Sequence, residues 1–372
     1  MTRAVAYFGT YDPAYPRNAV LIDGLRRLGV TVHEFQAPLP SLPAAQMATP
    51  AGAARLAAGV AAAHVRLLGQ HQRHLSVDAV VVGYPGYFLV PFGRALAALR
   101  RARLVFDPLV SLWDTFAGDR GLVAAGGWKS GAIRGVDRVA FALPDLVLAD
   151  TREHAAYYQA EFSLPRRRVA VVPVGARPEP RADGAATARG ADDPVTVFQY
   201  GKWSPLHGAE TVLAAADLLR AEPIRFVLAG EGQLSAALRD DIARRGLTNV
   251  DWLGVLSMDE LRARTLAADV CLGVFGASDK AARVVPNKVY DALACGRPVV
   301  TADTPGIREA LHDGEDALLV PAGDVAALAA ALERLQDEDE RARLGAAALA
   351  TYRRCFTPDA VAGALLAGLA GA

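Results

Sequence analysis

Short apolar runs alternate with longer amphipathic stretches along this chain, and the alternation occurs twice. In the first half, Ala4–Phe8, Thr31–Phe35, Ala79–Val82, Leu104–Asp107, Leu146–Ala149 and Val169–Val172 read as strands. The stretches 17–29, 44–73, 91–101, 120–142 and 151–161 read as helices. Strand, helix, strand at this spacing is the signature of a parallel sheet with helices on both faces. Residues 175–194 are rich in Pro, Gly, Ala and Asp and carry no apolar period, so they read as a linker. The pattern then resumes. Strands are expected at Thr196–Gln199, Arg225–Leu228, Val250–Leu253, Val270–Gly273, Pro298–Thr301 and Ala317–Val320. Helices are expected at 208–220, 233–245, 257–267, 286–294, 304–311 and 324–350, with a last one at 357–370.

The expected fold class is α/β, with two doubly wound Rossmann-like domains facing across a cleft. The first spans 1–174 and the second 195–352, with 353–372 a C-terminal helix that could pack back on the first domain. A length of 372 residues suits two domains with separate cores. Sheets of this kind bind ligands at their C-terminal edges, so two domains favour an enzyme with two substrates.

Composition removes several function classes. Forty Lys and Arg balance forty Asp and Glu, so bulk attraction to nucleic acid or an anionic membrane is not expected. Apolar residues make up 52%, too many for a disordered chain. Cys271, Cys295 and Cys355 are odd in number and far apart, which argues against a disulfide framework or zinc cage and fits the cytoplasm. Residues 1–9 enter an apolar run too short for a signal peptide, and Ala51–Gly69 is interrupted by Arg55, His64 and Arg66. Membrane contact is therefore expected to be peripheral at most. Only four of the forty cations are lysines: Lys129, Lys202, Lys280 and Lys288. Lys202 and Lys288 fall in the segments that carry the chemistry below, and Lys280 lies three residues before the second of them.

After the first strand the chain reads Phe8-Gly9-Thr10-Tyr11-Asp12, without the GxGxxG of a dinucleotide site. Gly9 and Thr10 either admit a ligand near a helix N-terminus or form a plain strand-to-helix turn. The second half is richer. Tyr200-Gly201-Lys202-Trp203-Ser204-Pro205-Leu206-His207-Gly208 places a Gly at a strand end, a cation beside it and a second titratable donor five residues on. Cations and helix amides together suit a diphosphate. Gly230 and Gly232, at the end of the next strand, again permit a close approach. In Arg283-Val284-Val285-Pro286-Asn287-Lys288-Val289-Tyr290-Asp291, Pro286 opens a helix and Asp291 follows Lys288 by one turn on the same face. A carboxylate there can accept two hydroxyl hydrogen bonds, as in the grip on a ribose diol.

These spaced motifs, with Asn249-Val250-Asp251-Trp252-Leu253-Gly254 and the run through Ala292-Leu293-Ala294-Cys295-Gly296-Arg297-Pro298, resemble family 4 glycosyltransferases of GT-B fold. The resemblance is strong over about 195–325 and looser before it. It implies transfer of a sugar from a nucleotide-diphosphate sugar, UDP-sugars first, with retained anomeric configuration, no metal and no cofactor beyond the cosubstrate. It places Lys202 and His207 on the diphosphate and Asp291 on the ribose. Gly201, Gly230, Gly254, Val255, Val285, Asn287 and Lys288 complete the donor pocket, the loop residues through their amides. Lys202 would stabilise the leaving diphosphate, which itself takes the acceptor proton. Two departures stand out. The family pairs two glutamates with seven residues between them, whereas this chain has Arg283 and Asp291, and His207 replaces the usual Lys.

For the acceptor, Asp107 and Asp114 are the expected catalytic carboxylates of the first domain, with Gly9, Thr10, Tyr84 and Trp113 lining its pocket. A sugar or cyclitol would suit these residues, and loop packing accounts for them equally well. His33, His64, His71, His74, His154 and His312 are scattered and read as surface or packing residues. Two other readings remain open. A sugar-nucleotide 2-epimerase shares the architecture, and a non-catalytic sugar-nucleotide-binding helper would explain the incomplete carboxylate pair.

Overall fold

The computed structural model describes residues 2–37, 39, 49–70, 76–124, 126–177 and 193–371. They form two compact units, Met1–Val174 with Pro358–Ala372, and Gly175–Thr357. Most of the expected linker, 178–192, lies outside the described residues, as do His71 and His74.

In the first unit the strands are β1 (Ala4–Gly9), β2 (Thr31–Gln36), β3 (Ala79–Val82), β4 (Arg103–Phe106), β5 (Leu146–Ala149) and β6 (Val169–Val171). They form one parallel sheet in the order β2-β1-β3-β4-β5-β6. The second unit holds β7 (Val195–Tyr200), β8 (Ile224–Ala229), β9 (Val250–Trp252), β10 (Val270–Leu272), β11 (Val299–Ala302) and β12 (Leu318–Val320). Its order, β12-β11-β10-β7-β8-β9, is again all parallel and is the dinucleotide-fold order read from the central pair outwards. Every expected strand is present to within one residue at either end.

Side chains alternate across β1 as the pleat requires. Val5 and Tyr7 pack with Val20, Leu21 and Leu25 of helix Pro16–Arg27 and with Val361 and Leu365 of helix Pro358–Gly371. Ala6 and Phe8 point to the opposite face, among Leu67, Leu96, Phe141 and Tyr158. Both faces are covered, which is why these strands read as unbroken apolar runs. The terminal helix Pro358–Gly371 is thus part of the first unit's core. Gly24 makes that contact close: a methyl group there would lie 1.9 Å from the Pro358 carbonyl oxygen and 2.8 Å from the Ala362 Cβ.

Helices differ from expectation at their ends. The stretch 324–350 is two helices, Val325–Arg334 and Glu338–Cys355, because Asp337 caps the second by accepting hydrogen bonds from the Asp339 and Glu340 amides. Within 120–142 the helix begins only at Trp128, after Gly126 and Gly127, and Asp114–Asp119 forms a wide π-type turn. Helix Pro50–Gly69 starts where Thr49 accepts from the Gly52 amide; 44–48 and 71–73 lie outside the described residues.

Gly24→Ala is expected to cost about 1–3 kcal/mol by overpacking. Calorimetry should register a lower melting transition for the first unit, with far-ultraviolet circular dichroism retained.

Candidate anion-binding site

In an open parallel sheet, ligands settle beyond the strand C-termini where the order reverses. In the second unit that switch point lies between β7 and its neighbour β10. β7 ends at Tyr200, and Gly201 follows at the mouth of the crevice. The single turn Pro205–His207 then brings His207 back over Gly201. The Ser204 amide donates to His207 Nδ1 at 3.2 Å, so the ring hydrogen sits on Nε2. A methyl group on Gly201 would lie 2.3 Å from that Nε2 and 3.2 Å from Lys288 Nζ. The missing Cβ therefore leaves the room that the His207 ring fills, with Lys288 Nζ close beside it.

Lys288 arrives from the other side of the switch point. It occupies the first turn of helix Asn287–Ala294, which starts after the extended Pro286 and stops at Cys295 before Gly296. Its side chain is only 7% exposed, and Nζ has no hydrogen-bond partner. Burial pulls its pKa down to about 7. The ammonium also lies 5.9 Å from the centre of the Tyr200 ring. Asp291, one turn further along the same helix, accepts a hydrogen bond from the Tyr200 hydroxyl. A buried cation with no hydrogen-bond partner, next to the His207 ring, suits an anion, because an isolated buried charge is costly until a counter-charge arrives.

The structure thus gathers Gly201, His207, Asn287, Lys288 and Asp291. Lys202 is exposed at the edge of this group, so the buried cation is Lys288 rather than the lysine next to the glycine. Val285 is buried, leaving only its backbone to face a ligand. Gly254 and Val255 sit on the loop after β9, with Val255 76% exposed. One expectation is corrected here. Gly230 does not open space for a ligand: a methyl group on it would lie 2.0 Å from the Gly201 carbonyl oxygen, and one on Gly232 would lie 1.9 Å from that of Lys202. These glycines let two loops touch each other, and the Gly230 carbonyl accepts from Trp203 Nε1 at 2.9 Å.

The first unit brings a larger correction. Asp107 does not face a ligand. It is 0% exposed and ion-paired at 2.7 Å with Arg17, itself 1% exposed. Burial pushes the Asp107 carboxyl up in pKa, and the guanidinium pulls it back. Arg17 also donates to the Val172 and Pro173 carbonyls at 2.7 Å, so it pins the ends of β4 and β6 to the first turn of helix Pro16–Arg27. Sequence reading passed over Arg17 because one arginine among so many carries no periodic signal. Asp114 is likewise buried, in the π-type turn, with its amide donating to Ser111 Oγ at 3.1 Å. Trp113 spends its ring N–H on Ser130 at 2.8 Å. Gly9, Thr10 and Tyr84 do reach the first unit's switch point, between β1 and β3. Thr10 Oγ1 donates to the Pro85 carbonyl at 2.7 Å and Asn18 to that of Tyr84 at 2.8 Å, so there the two loops are tied together.

Residues 194–338 match the family model of glycosyl transferases group 1. The second unit is a group 1 glycosyl transferase domain. The chain is 31% identical over 280 residues to the D-inositol 3-phosphate glycosyltransferase of Xylanimonas cellulosilytica, covering 70% of this chain and 65% of the relative. It is 28% identical over 249 residues to the Escherichia coli putative colanic acid biosynthesis glycosyl transferase WcaI, covering 62% of this chain and 59% of the relative. The chain spans 48% to 65% of the length of the first curated relatives it matches. Across their whole lengths, it superposes on Anabaena Alr3699/HepE, crystallised with UDP-glucose, at a TM-score of 0.66 and 15% identity. That likeness shows the fold, two Rossmann-like domains of the GT-B class. Among the described residues no group of three His, Cys, Asp or Glu side chains is placed to hold a metal ion, and no helix is long and apolar enough to cross a membrane.

Asp107→Ala would leave Arg17 buried without its counter-charge, at a cost of about 3–5 kcal/mol. A thermal melt is expected to show that loss; an unchanged Tm with lost activity would instead make Asp107 catalytic.

Proposed function

We propose that the chain is a retaining glycosyltransferase, moving a sugar from a nucleotide-diphosphate sugar to a hydroxyl of a sugar, cyclitol or other small acceptor. The observation that carries this reading is the buried, unpartnered Lys288 meeting His207 Nε2 over Gly201, with Asp291 one turn away. Two nitrogen donors suit a diphosphate, and a carboxylate beside them suits the hydroxyls of a ribose. UDP-sugars are favoured as donors because UDP-glucose is the ligand named for Alr3699/HepE. A cyclitol phosphate heads the acceptor series because D-inositol 3-phosphate names several relatives. The three free cysteines fit a reducing cytoplasm.

In this mechanism the diphosphate settles against His207, Lys288 and the amides that open helix Asn287–Ala294. Lys202, His207 and Lys288 counter the charge that develops as the glycosidic bond breaks, in place of a metal ion. With Asp107 held by Arg17, the leaving phosphate oxygen takes the acceptor's proton, and attack from the same face retains the anomeric configuration. The test is a panel of UDP-, GDP- and dTDP-sugars with cyclitol and sugar acceptors, read by nuclear magnetic resonance. Transfer with a retained anomer supports the reading. Interconversion of donors would make the chain an epimerase, and binding without turnover across the panel a helper.

Two further outcomes are expected. At saturating donor, Lys202→Ala should lower turnover by about 10²-fold, the scale of one lost donor to a developing charge. UDP affinity should fall as pH rises above about 7, by up to about tenfold per unit, because the bound anion needs Lys288 protonated. In the empty protein the sign is opposite. The unfolded chain keeps the Lys288 proton up to its ordinary pKa of 10.5, so stability rises between pH 7 and 10.5. Lys288→Met should flatten both pH profiles and raise the Tm of the empty protein by about 2–4 °C while binding UDP poorly. Titration calorimetry and melting curves check both.

A further inference from the structure

The proposed donor site depends on a carboxylate shorter than the family pattern expects. An aspartate at position 291 carries its oxygens one methylene nearer the helix backbone than a glutamate would, and loses a rotatable bond that could aim them. Tyr200 compensates from across the switch point. It is the last residue of β7, and its hydroxyl donates to Asp291 Oδ2. The same ring faces Lys288 Nζ at 5.9 Å. Asp291 and Lys288 are three residues apart on one helix, yet the carboxylate bonds to the phenol, and the lysine nitrogen makes no hydrogen bond. The phenol stays protonated across the working range, since burial and the adjacent carboxylate both raise its pKa. It is therefore a permanent donor to Asp291.

Resting on the reading of this unit as a nucleoside-diphosphate site, we propose that Tyr200 is a positioning residue for sugar-hydroxyl recognition. Its hydroxyl fixes one oxygen of Asp291 and so orients the carboxylate toward the ribose diol of the donor. Its ring forms the floor between that carboxylate and the diphosphate cation. Tyr200 touches no reacting atom and acts only through Asp291.

Tyr200→Phe keeps the ring and removes the one hydrogen bond, so its effect can be separated from loss of packing. The probes are UDP, 2′-deoxy-UDP and inorganic pyrophosphate, each titrated into the full chain and the variant by calorimetry. The unaltered protein is expected to prefer UDP over 2′-deoxy-UDP by about tenfold, the scale of one hydrogen bond to a charged group. In Tyr200→Phe this preference should shrink below about threefold, the level expected of Asp291→Asn, with pyrophosphate affinity unchanged. With a nucleotide-sugar donor, KM should rise and kcat hold. Retained discrimination in Tyr200→Phe overturns the proposal. A parallel loss of pyrophosphate binding also overturns it, because the tyrosine would then be shaping the whole crevice. Failure of the unaltered protein to bind either UDP or pyrophosphate overturns the donor reading itself, and the proposal with it.

Discussion

A parallel strand cannot return to its sheet by a tight turn, so each strand here must be followed by a crossover that packs on one face or the other. Where successive crossovers choose opposite faces, the loops at the strand ends part and leave a crevice. That constraint places everything of functional interest in this chain. In the second unit it sets the loop after β7 opposite helix Asn287–Ala294, between β10 and β11, and so brings Gly201 and His207 to Lys288 and Asp291 from about eighty to ninety residues away. In the first unit it sets Gly9 and Thr10 opposite Tyr84 and Pro85.

The two crevices handle buried charge in opposite ways. In the first unit, Arg17 and Asp107 are both out of water, and each is the other's partner. Arg17 also takes two carbonyls at the end of β6, so its guanidinium is locked in place. Such a pair fixes geometry, and only the Asp107 Oδ1 atom is left without a hydrogen-bond partner. In the second unit Lys288 is nearly as deeply buried, yet its nitrogen has no hydrogen-bond partner, and burial has already drawn its pKa down to about 7. An anion bound there, as the proposed function has it, would relieve that cost and turn the lost stability into binding free energy.

Most of the architecture was legible in the sequence. Inner strands such as β3, β5 and β11 are buried along their whole length, so they stood out as apolar runs between helical stretches, whereas edge strands such as β2 carry polar residues. Helix ends were read less well because single side chains set them. Asp337 splits one expected helix in two, and Gly126 with Gly127 delays another. At the candidate site, Gly201, His207, Lys288 and Asp291 were recognised through spaced motifs. What those motifs could not convey was which way each residue faces. Gly230 and Gly232 look like ligand-facing glycines and instead allow two loops to touch. Asp107 looks like a catalytic carboxylate and is the counter-ion of an arginine ninety positions earlier.

By itself the sequence determined the class of fold and its division into two halves, and it pointed to Lys202 and His207 for a diphosphate and to Asp291 for a ribose. All of these follow from local periodicity or from residues within a few positions of one another. Tertiary structure alone decided which charges are already partnered. It assigned Arg17 to Asp107, joined Tyr200 to Asp291, and left Lys288 buried beside Gly201 and His207 with no hydrogen-bond partner on its nitrogen. The physical reason is that burial and pairing depend on through-space distances of a few ångströms between residues tens of positions apart. The balanced charge sum, forty against forty, contains no trace of them.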